Sequence, residues 1–515
     1  MLLILPINFT MKKITTIFIS TLAILSCFSQ STNKANVQRP KLVVGIVVDQ
    51  MRWDFLYRYY DRYAATGGFK KMLNQGFSCE NTFIPYAPTV TACGHTCIYT
   101  GSVPAVHGIT GNAWWDRQLN KSVYCTQDDS VKTIGAAEGP NGKQSPRNMF
   151  TTTICDELRL ATNFESKVIG IAIKDRGGIL PAGHSANAAY WYDSRNGNWI
   201  TSSYYMNELP QWVVDFNNKK LVDQYYNEGW NLLYPASSYR QSTTDEKNYE
   251  GNPFGQKSFP YDLKKYAGKN YSPVTITPFG NNLTLEFAKS ALASEKLGAD
   301  GVTDFLAISL SSPDYVGHSF GPNSIEIEDT YLRLDKDLGA FFNYLDSKVG
   351  KGQWLVFLSA DHGVAHIPGF MKENKLPAGL FFDDQHMKNL NTELKSKFGK
   401  DSLIVSMYNY QVHLDKNKLQ ASNINAEEVT NWIIEQLLKN EGVLNAFSID
   451  EMMETPLPEK IKKMYANGYY PKRGGDIQII LKPGWIDAFG TTGTTHGLWN
   501  PYDSHIPLLF YGGNI

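Results

Sequence analysis

The sequence predicts an α/β fold, a layered sandwich with a mainly parallel central sheet. Three observations support this prediction. Short β-branched apolar runs recur along the 515-residue chain, and each of them ends at a polar residue. These runs lack polar alternation, which is typical of strands buried on both faces of a parallel sheet. Helical patterns separate the runs, and strand–helix alternation of this kind builds a sheet covered by helices.

The strand-forming runs are LVVGIVV at 42–48, VIGIAI at 168–173, FLAISL at 305–310, WLVFLS at 354–359 and the apolar run at 506–511. The clearest helix lies between 327 and 345, where apolar side chains recur at alternating spacings of four and three residues. That spacing places them on one face and predicts a helix that packs on the core.

Two regions interrupt this alternation. Residues 180–300 are rich in Tyr, Trp, Asn and Gly, and AAYWYDSRNGNWITSSYY predicts a hairpin that turns at Asn196-Gly197. Residues 370–490 mix helical segments with a strand at Ile477–Leu481. We expect one catalytic domain over residues 41–515, with both regions as insertions that form a lid or cap.

Composition excludes several classes of function. The formal net charge of −1 gives no electrostatic basis for nucleic acid as a specific partner or for a polybasic membrane surface. Beyond the N-terminus, no segment predicts a transmembrane helix. Function must therefore come from a local site, and we expect the chain to act as a monomer.

The N-terminus predicts export. MKKITTIFISTLAILSC, from Met11, has two lysines, an apolar run and small residues, the layout of a signal peptide. We expect residues 1–30 to be this leader, with translation starting at Met11 and the mature protein in the periplasm. The alternative is a lipoprotein, because Ile24-Leu25-Ser26-Cys27 resembles a lipoprotein cleavage box with Cys27 as the lipid anchor.

Export would place the other cysteines in an oxidising compartment, where we expect one or two disulfides of undetermined pairing. These cysteines are Cys79, Cys93, Cys97, Cys125 and Cys155. Cys93 and Cys97 share a face if their segment is helical, and for them packing is the favoured interpretation.

Polar residues follow four of the predicted strands: Asp49, Lys174, Asp314 and Asp361. Ligands of parallel α/β sheets bind beyond the carboxyl ends of the strands, so these four side chains are expected to converge.

Carboxylate–imidazole pairs suggest metal binding at this edge. SSPDYVGH contains Asp314 and His318, Asp361 precedes His362, and TTHG adds His496. With Asp49 they make six ligands of the kind zinc accepts, enough for two ions that each keep an open position. A single pair is more often a helix cap or a satisfied buried histidine, but three such elements at sheet ends favour metal binding.

The ordered motifs resemble the alkaline phosphatase superfamily of two-metal phosphoryl- and sulfuryl-transfer enzymes. They are Asp49, PTVTACGHT with Thr91, SSPDYVGH, ADHG and THG. GITGNAWWD around Asn112 and IKDRGG at 173–178 make the match closer to the phosphate-irrepressible, single-chain alkaline phosphatases of flavobacteria and their relatives. The family usually continues into a helix after its last strand, so the resemblance implies a chain truncated at its C-terminus.

The resemblance implies two zinc ions, one held by Asp314, His318 and His496 and the other by Asp49, Asp361 and His362. Thr91 would be a ligand of the second ion and the nucleophile, forming a phosphothreonine that water hydrolyses. Asn112, Lys174 and Arg176 would hold the phosphoryl oxygens. The implied activity is hydrolysis of a broad range of small phosphate monoesters, with an alkaline pH optimum.

Elementary chemistry agrees with these roles. A threonine hydroxyl needs activation, which zinc supplies, and two ions can stabilise both the attacking and the leaving oxygen. Thr91 is expected at a helix N-terminus, whose free N–H groups face an anion. The formal charges of two Zn²⁺, Lys174 and Arg176, summed with those of three aspartates, give a net charge of roughly +3. This net charge suits a monoester dianion. Lys174 and Arg176, two residues apart, are expected on one face of a strand.

Alternatives remain for single residues. Thr89 is the competing nucleophile, Asn112 after Gly111 could be a turn residue, and Lys174 with Arg176 could lie in a solvated turn. His95 and His107 are expected to stabilise local structure only.

Alternatives also remain for the function. A phosphodiesterase or nucleotide pyrophosphatase of the same superfamily would share the metals and Thr91 without needing the Lys174/Arg176 pair. Sulfatases are disfavoured because their C-x-P-x-R motif has no match at PTVTACGHTC, and phosphomutases because they are cytoplasmic. A non-catalytic zinc- or phosphate-binding envelope protein is the alternative from another class.

Overall fold

The computed structural model describes residues 39–488, 490–513 and 515. The predicted leader, its start at Met11 and the candidate anchor Cys27 lie outside these residues. Among the described residues, no helix combines the length and apolarity that a membrane crossing requires.

The strands, in chain order, are β1 Leu42–Val48, β2 Phe77–Ser78, β3 Ala113–Asp116, β4 Lys121–Tyr124, β5 Thr133–Ile134, β6 Val168–Ala172, β7 Ala188–Asp193, β8 Asn198–Ser202, β9 Asp304–Leu310, β10 Trp354–Ser359, β11 Gly379–Phe381, β12 Ile404–Ser406, β13 Gln411–Leu414, β14 Val443–Ser448, β15 Ile477–Leu481, β16 Trp485–Asp487 and β17 Leu508–Gly512.

The α-helices are α1 Phe55–Arg58, α2 Gly68–Gln75, α3 Thr91–Thr100, α4 Pro104–His107, α5 Ile154–Ala161, α6 Asp175–Ala182, α7 Gln211–Asn218, α8 Leu221–Glu228, α9 Phe279–Ser294, α10 Ser312–Phe320, α11 Ile325–Lys348, α12 Pro368–Glu373, α13 Asp383–Phe398, α14 Lys416–Ala421, α15 Ala426–Leu437, α16 Glu459–Gly468 and α17 Pro501–Ser504.

A central sheet of nine strands runs in the order β2-β17-β10-β1-β9-β6-β7-β8-β5. Its middle strands, from β10 to β7, pair in parallel, while the pairings toward the edges, β10–β17, β17–β2, β7–β8 and β8–β5, are antiparallel. The predicted fold class, a mainly parallel α/β sheet, is confirmed.

Strand β1 shows why its sequence lacks polar alternation. Its side chains at 42, 44, 46 and 48 pack into one hydrophobic cluster, and those at 43 and 47 pack against another. Both faces of the strand are therefore buried, so every position favours an apolar residue.

The first predicted insertion contributes to the central sheet. Its predicted hairpin is β7 and β8, and β7 pairs in parallel with β6 while β8 closes back antiparallel. Gly197 adopts the left-handed conformation, with φ of 76°, that its turn requires. Helix α9 from the same region buries much of its length and packs close to β9.

The second predicted insertion folds around its own hydrophobic cluster. Four of its strands form an antiparallel sheet in the order β12-β13-β15-β14, β11 and β16 pair separately in parallel, and the predicted strand Ile477–Leu481 is β15. Tyr410 reaches from this region to donate a hydrogen bond from its hydroxyl to the carbonyl oxygen of His496, at 3.3 Å.

The expectation of disulfides is wrong for the described residues, because all five cysteines there are free. Cys93 packs in the core, as the packing interpretation has it, with its thiol donating to the carbonyl oxygen of Ile109 at 3.2 Å.

Candidate active site

The carboxyl ends of parallel strands β1, β6, β9 and β10 bring the predicted polar residues together. Lys174 lies at the centre, with its Nζ 2.6 Å from Asp49 Oδ2 and 2.6 Å from Asp314 Oδ2. Asp361 follows β10 and lies close to Asp49, since both flank His362 Nε2 at 3.5–3.6 Å. The predicted convergence is therefore observed, and it buries three carboxylates in one place.

Three histidines line these carboxylates, and each is oriented by a backbone carbonyl. Nδ1 of His318 donates to Thr494 O at 2.7 Å, Nδ1 of His362 to Gly363 O at 2.9 Å, and Nδ1 of His496 to Thr89 O at 2.7 Å. A carbonyl only accepts, so Nδ1 carries the proton and Nε2 of the neutral ring keeps its lone pair.

All three Nε2 atoms face carboxylate oxygens. His318 and His496 lie 3.2 and 3.6 Å from Asp314 Oδ1, and His362 lies 3.6 Å from Asp49 Oδ1. Lone pairs of neutral imidazoles facing carboxylates repel each other unless a proton or a cation lies between them. Nδ1 bound to a backbone carbonyl with Nε2 directed inward is the arrangement of histidines that ligate metal.

Electrostatics keep two of these rings neutral. Burial lowers the pKa of His496 well below its usual value, and the nearby His362 and His318 add to the effect. Burial also lowers the pKa of His362. For His318, burial acts in the same direction, but the Asp314 carboxylate outweighs it and raises the pKa.

Two overlapping groups of three side chains could each hold a cation. Asp314, His318 and His496 offer ligand atoms that lie within 4.8 Å of one another, and so do Asp49, Asp314 and His362. Burial raises the pKa of Asp49 well above its usual range, with repulsion from Asp361 and Asp314 adding to it. Its Oδ1 is buried without a hydrogen-bond partner among the described residues. A cation bound there would remove both penalties.

The second of these groups contains Asp314 beside Asp49 and His362. The family resemblance implies Asp361 in the place of Asp314. Oδ1 of Asp361 accepts hydrogen bonds from the backbone N–H groups of Gln50 and His362, at 3.1 and 3.0 Å. Its Oδ2 lies 3.5 Å from His362 Nε2 and 3.1 Å from His95 Nδ1.

Thr91 is the first residue of α3 and is buried against this cluster. Its Oγ1 lies 3.4 Å from His362 Nε2 and 3.5 Å from Lys174 Nζ. Thr89, the competing nucleophile, instead donates its hydroxyl hydrogen bond to Leu498 O at 2.9 Å. The geometry favours Thr91.

Asn112 is more than a turn residue. Its Oδ1 accepts a hydrogen bond from the N–H of Ala92, at 2.9 Å, next to Thr91. One N–H at the start of α3 is thus bound within the protein. With Oδ1 used in this way, the Nδ2 amide is the part of Asn112 left for a ligand.

The strand-face argument for Lys174 and Arg176 is wrong. Strand β6 ends at Ala172, Lys174 is the N-cap of α6, and Arg176 lies in the first turn of that helix. The turn from β6 into α6, rather than alternation along a strand, therefore positions the charged side chains of Lys174 and Arg176. Neither lies in a solvated turn, because Lys174 is buried and Arg176 is only partly exposed.

Two residues that contact the ligands were missed by the sequence interpretation. Gln50 donates from Nε2 to Asp314 Oδ1 at 2.7 Å and adopts a left-handed conformation, with φ of 67°. His95, expected to be structural only, donates from Nδ1 to Thr91 O at 2.9 Å and lies 3.1 Å from Asp361 Oδ2. Its position four residues after Thr91, on the same helix face, was the available signal.

His107 has the local role that was expected of it. Its Nδ1 accepts a hydrogen bond from the N–H of Ile109 at 3.1 Å, and burial lowers its pKa to about 3.

The chain is similar to known proteins over most of its length. Residues 43–501 match the family described as type I phosphodiesterase / nucleotide pyrophosphatase. The chain is 53% identical to alkaline phosphatase PafA of Elizabethkingia meningoseptica, over 95% of this chain and 89% of that protein. It is 52% identical to alkaline phosphatase PhoV of Synechococcus elongatus, over 96% of this chain and 91% of that protein.

A crystal structure of wild-type alkaline phosphatase PafA has the same fold. It superposes with a TM-score of 0.91 at 53% identity and covers 93% of this chain and 92% of that one. The family resemblance inferred from the motifs is confirmed.

Proposed function

This chain belongs to the type I phosphodiesterase / nucleotide pyrophosphatase family, and we propose that it is an alkaline phosphatase that hydrolyses small phosphate monoesters with two zinc ions and a phosphothreonine at Thr91. One observation carries the proposal: three histidines, each fixed through Nδ1, direct Nε2 at buried carboxylates around a threonine hydroxyl.

One ion would be held by Asp314, His318 and His496 and the other by Asp49, Asp361 and His362, with Thr91 beside the second set. Bound zinc supplies Lewis-acid stabilisation of negative charge on the attacking and leaving oxygens. Mixed carboxylate and imidazole ligands suit zinc, and the fixed tautomers of the three histidines support this assignment.

Thr91 is the proposed nucleophile. Its hydroxyl loses a proton, its oxygen bonds to phosphorus, and the ester bond breaks with the electron pair going to the alcohol oxygen, which takes up a proton. Water then attacks phosphorus, the bond to Thr91 breaks, and phosphate leaves while the hydroxyl is restored. The burial of Thr91 at the start of α3 holds its oxygen in place through both steps.

The phosphoryl oxygens would be held by Asn112, Lys174 and Arg176. Nδ2 of Asn112 is left for this contact because Oδ1 binds Ala92. Arg176 can contact two oxygens at once, and Lys174 adds a charge beside Thr91. Two added cations favour a monoester dianion over a diester monoanion, since the dianion gains more from each of them.

Export to the periplasm remains part of the proposal. It is supported by the signal-peptide layout from Met11, with attachment through Cys27 as the alternative. Substrates there would be small, soluble phosphate esters.

The test compares rates on p-nitrophenyl phosphate and bis(p-nitrophenyl) phosphate, with metal content measured on the same sample. We expect about two zinc ions per chain and a strong preference for the monoester. A preference for the diester would assign the chain to the phosphodiesterase alternative. Bound zinc with no turnover of either ester would favour the alternative that the chain is a non-catalytic zinc- or phosphate-binding protein.

A further inference from the structure

The guanidinium of Arg176 is held by a residue that no motif pointed to. Its Nη1 donates to the phenol oxygen of Tyr124 at 2.8 Å. The same phenol donates to Asp175 Oδ1 at 2.6 Å, and this carboxylate oxygen also accepts the backbone N–H of Arg176. The side chain and the backbone of Arg176 are therefore tied to one carboxylate, the first through Tyr124 and the second directly.

This contact leaves one edge of the guanidinium for a ligand. Nε of Arg176 is buried and has no hydrogen-bond partner among the described residues. Nε and Nη2 form one edge of the planar group, and such an edge binds two oxygens of a phosphoryl group. Because Tyr124 takes Nη1, the unpaired Nε belongs to the edge that remains.

Tyr124 suits this role because it stays a neutral donor. Burial raises the pKa of Tyr124 well above its usual range, against the opposing effect of Arg176. The phenol can therefore donate to Asp175 while it accepts from Arg176, which defines the direction of both hydrogen bonds.

The backbone links Tyr124 to another proposed phosphoryl contact. Tyr124 is the last residue of β4, and it pairs with Ala113, the first residue of β3. Ala113 directly follows Asn112 in the chain. The next residue, Cys125, donates its backbone N–H to the carbonyl oxygen of Asn112 at 3.0 Å. One hairpin thus fixes the position of Asn112 and, through Tyr124, that of Arg176.

We propose that Tyr124 is a positioning residue, whose hydroxyl links Asp175 to Arg176 and presets the Nε–Nη2 edge of the guanidinium toward the phosphoryl group. This inference rests on the proposed function. A free arginine side chain loses rotamer entropy when it binds a ligand, and the Tyr124–Asp175 contact removes part of that cost before the substrate arrives.

The test is Tyr124→Phe, which removes only the hydroxyl. We expect kcat/KM for p-nitrophenyl phosphate to fall about tenfold and the affinity for inorganic phosphate, measured by calorimetry on the zinc-loaded protein, to fall by a similar factor. In an Arg176→Ala background, Tyr124→Phe should change both quantities by less than about twofold. Tyr192→Phe is the matched control, because it also removes a tyrosine hydroxyl that donates a hydrogen bond, but to the backbone carbonyl of Tyr271 rather than to Asp175.

The phosphate measurement decides the inference independently of turnover. Equal phosphate affinities of the wild type and Tyr124→Phe would overturn it, and so would an undiminished effect of Tyr124→Phe in the Arg176→Ala background. A wild type that binds phosphate with the expected dependence on Tyr124 but fails to hydrolyse the monoester would overturn the proposed function and support the positioning role.

Discussion

The imidazole rings of His362 and His496 stack face to face, with ring centroids 3.5 Å apart and planes inclined by 15°. The two residues belong to different proposed metal sets, so the stacked rings are in contact where the two sets meet. A pair of rings this close and this buried resists double protonation, which keeps Nε2 of each available for metal.

Chelation should therefore abolish activity and lower stability together. Without a cation, the buried carboxylates of Asp49 and Asp361 lose their counter-charge, and the Nε2 lone pairs of His362 and His496 lose the partner that separates them from these carboxylates. We expect prolonged dialysis against EDTA to remove turnover of p-nitrophenyl phosphate and to lower the Tm, and zinc to restore both. Full activity after metal has been shown to be absent would contradict the two-ion proposal.

Thr91→Ala should reduce turnover at least about a thousandfold, because it removes the nucleophile. The metal content should stay unchanged, because the six proposed aspartate and histidine ligands remain in place. Thr89→Ala is the matched control. It removes only the hydrogen bond to Leu498 O and should cost about 1 kcal/mol of stability with activity retained.

Acid-quenched wild type should carry phosphate on residue 91. If Thr91→Ala remained active and Thr89→Ala were inactive, the nucleophile would be Thr89.

Replacing Lys174 and Arg176 together by alanine should reduce monoester hydrolysis about a hundredfold or more and diester hydrolysis far less, since the extra charge of the dianion faces these cations. The measurement is kcat/KM on both esters for the same preparations. Equal losses on the two esters would remove the electrostatic argument for monoester preference.

Gly94→Ala should loosen the second metal set. A Cβ at position 94 would overlap the carbonyl oxygen and the Cβ of Asp361, so α3 or the Asp361 loop must shift. We expect a loss of about 1–3 kcal/mol in stability and a lower zinc content. Gly301→Ala, where no described atom lies within 4 Å of the added methyl, is the control. Unchanged zinc content in Gly94→Ala would show that α3 adapts without disturbing Asp361.

Glu326 should make stability fall as the pH rises. Its Oε1 accepts from Tyr261 at 2.6 Å, its Oε2 has no partner among the described residues, and burial raises its pKa to about 8. Burial, with Glu326 nearby, raises the pKa of Glu250 to about 9. Unfolded glutamate has a pKa of about 4.3, so between about pH 4.5 and 8 the folded chain holds a proton that the unfolded chain has lost.

Glu326→Gln keeps the acceptor for Tyr261 and removes this titration. We expect no gain in the free energy of unfolding at pH 5 and a gain of about 1–2 kcal/mol at pH 8.5, measured by urea unfolding. Glu393→Gln on the exposed face of α13 should leave the pH profile unchanged. Parallel profiles of Glu326→Gln and the wild type would show that Glu326 is ionised in the folded protein.

The sequence predicted what depends on local pattern. Strands β1 and β10 match their predicted bounds, because runs buried on both faces carry a continuous apolar signal. The proposed aspartate ligands come after strands β1, β9 and β10, at the edge where a parallel sheet places its site.

Other features depend on tertiary contacts. Tyr124 and Gln50 are set by neighbours distant in sequence, and neither lies in a pattern that local reasoning detects. Arg176 was placed on a strand because DRGG carries little helix signal, although α6 begins at Asp175. The aromatic residues of β7 predicted a cap, yet they extend the central sheet, where both faces of that strand are buried.

The proposed ligands are spread along the chain, from Asp49 to His496, and this has a consequence for biosynthesis. The first proposed ion would need His496, which lies in the loop between β16 and α17, shortly before the last strand of the sheet. A nascent chain therefore lacks a full ligand set for that ion until almost all of it has emerged and folded. Zinc uptake by this protein would mark the end of folding rather than its beginning, so shortened chains should remain metal-poor even where most of the sheet has formed.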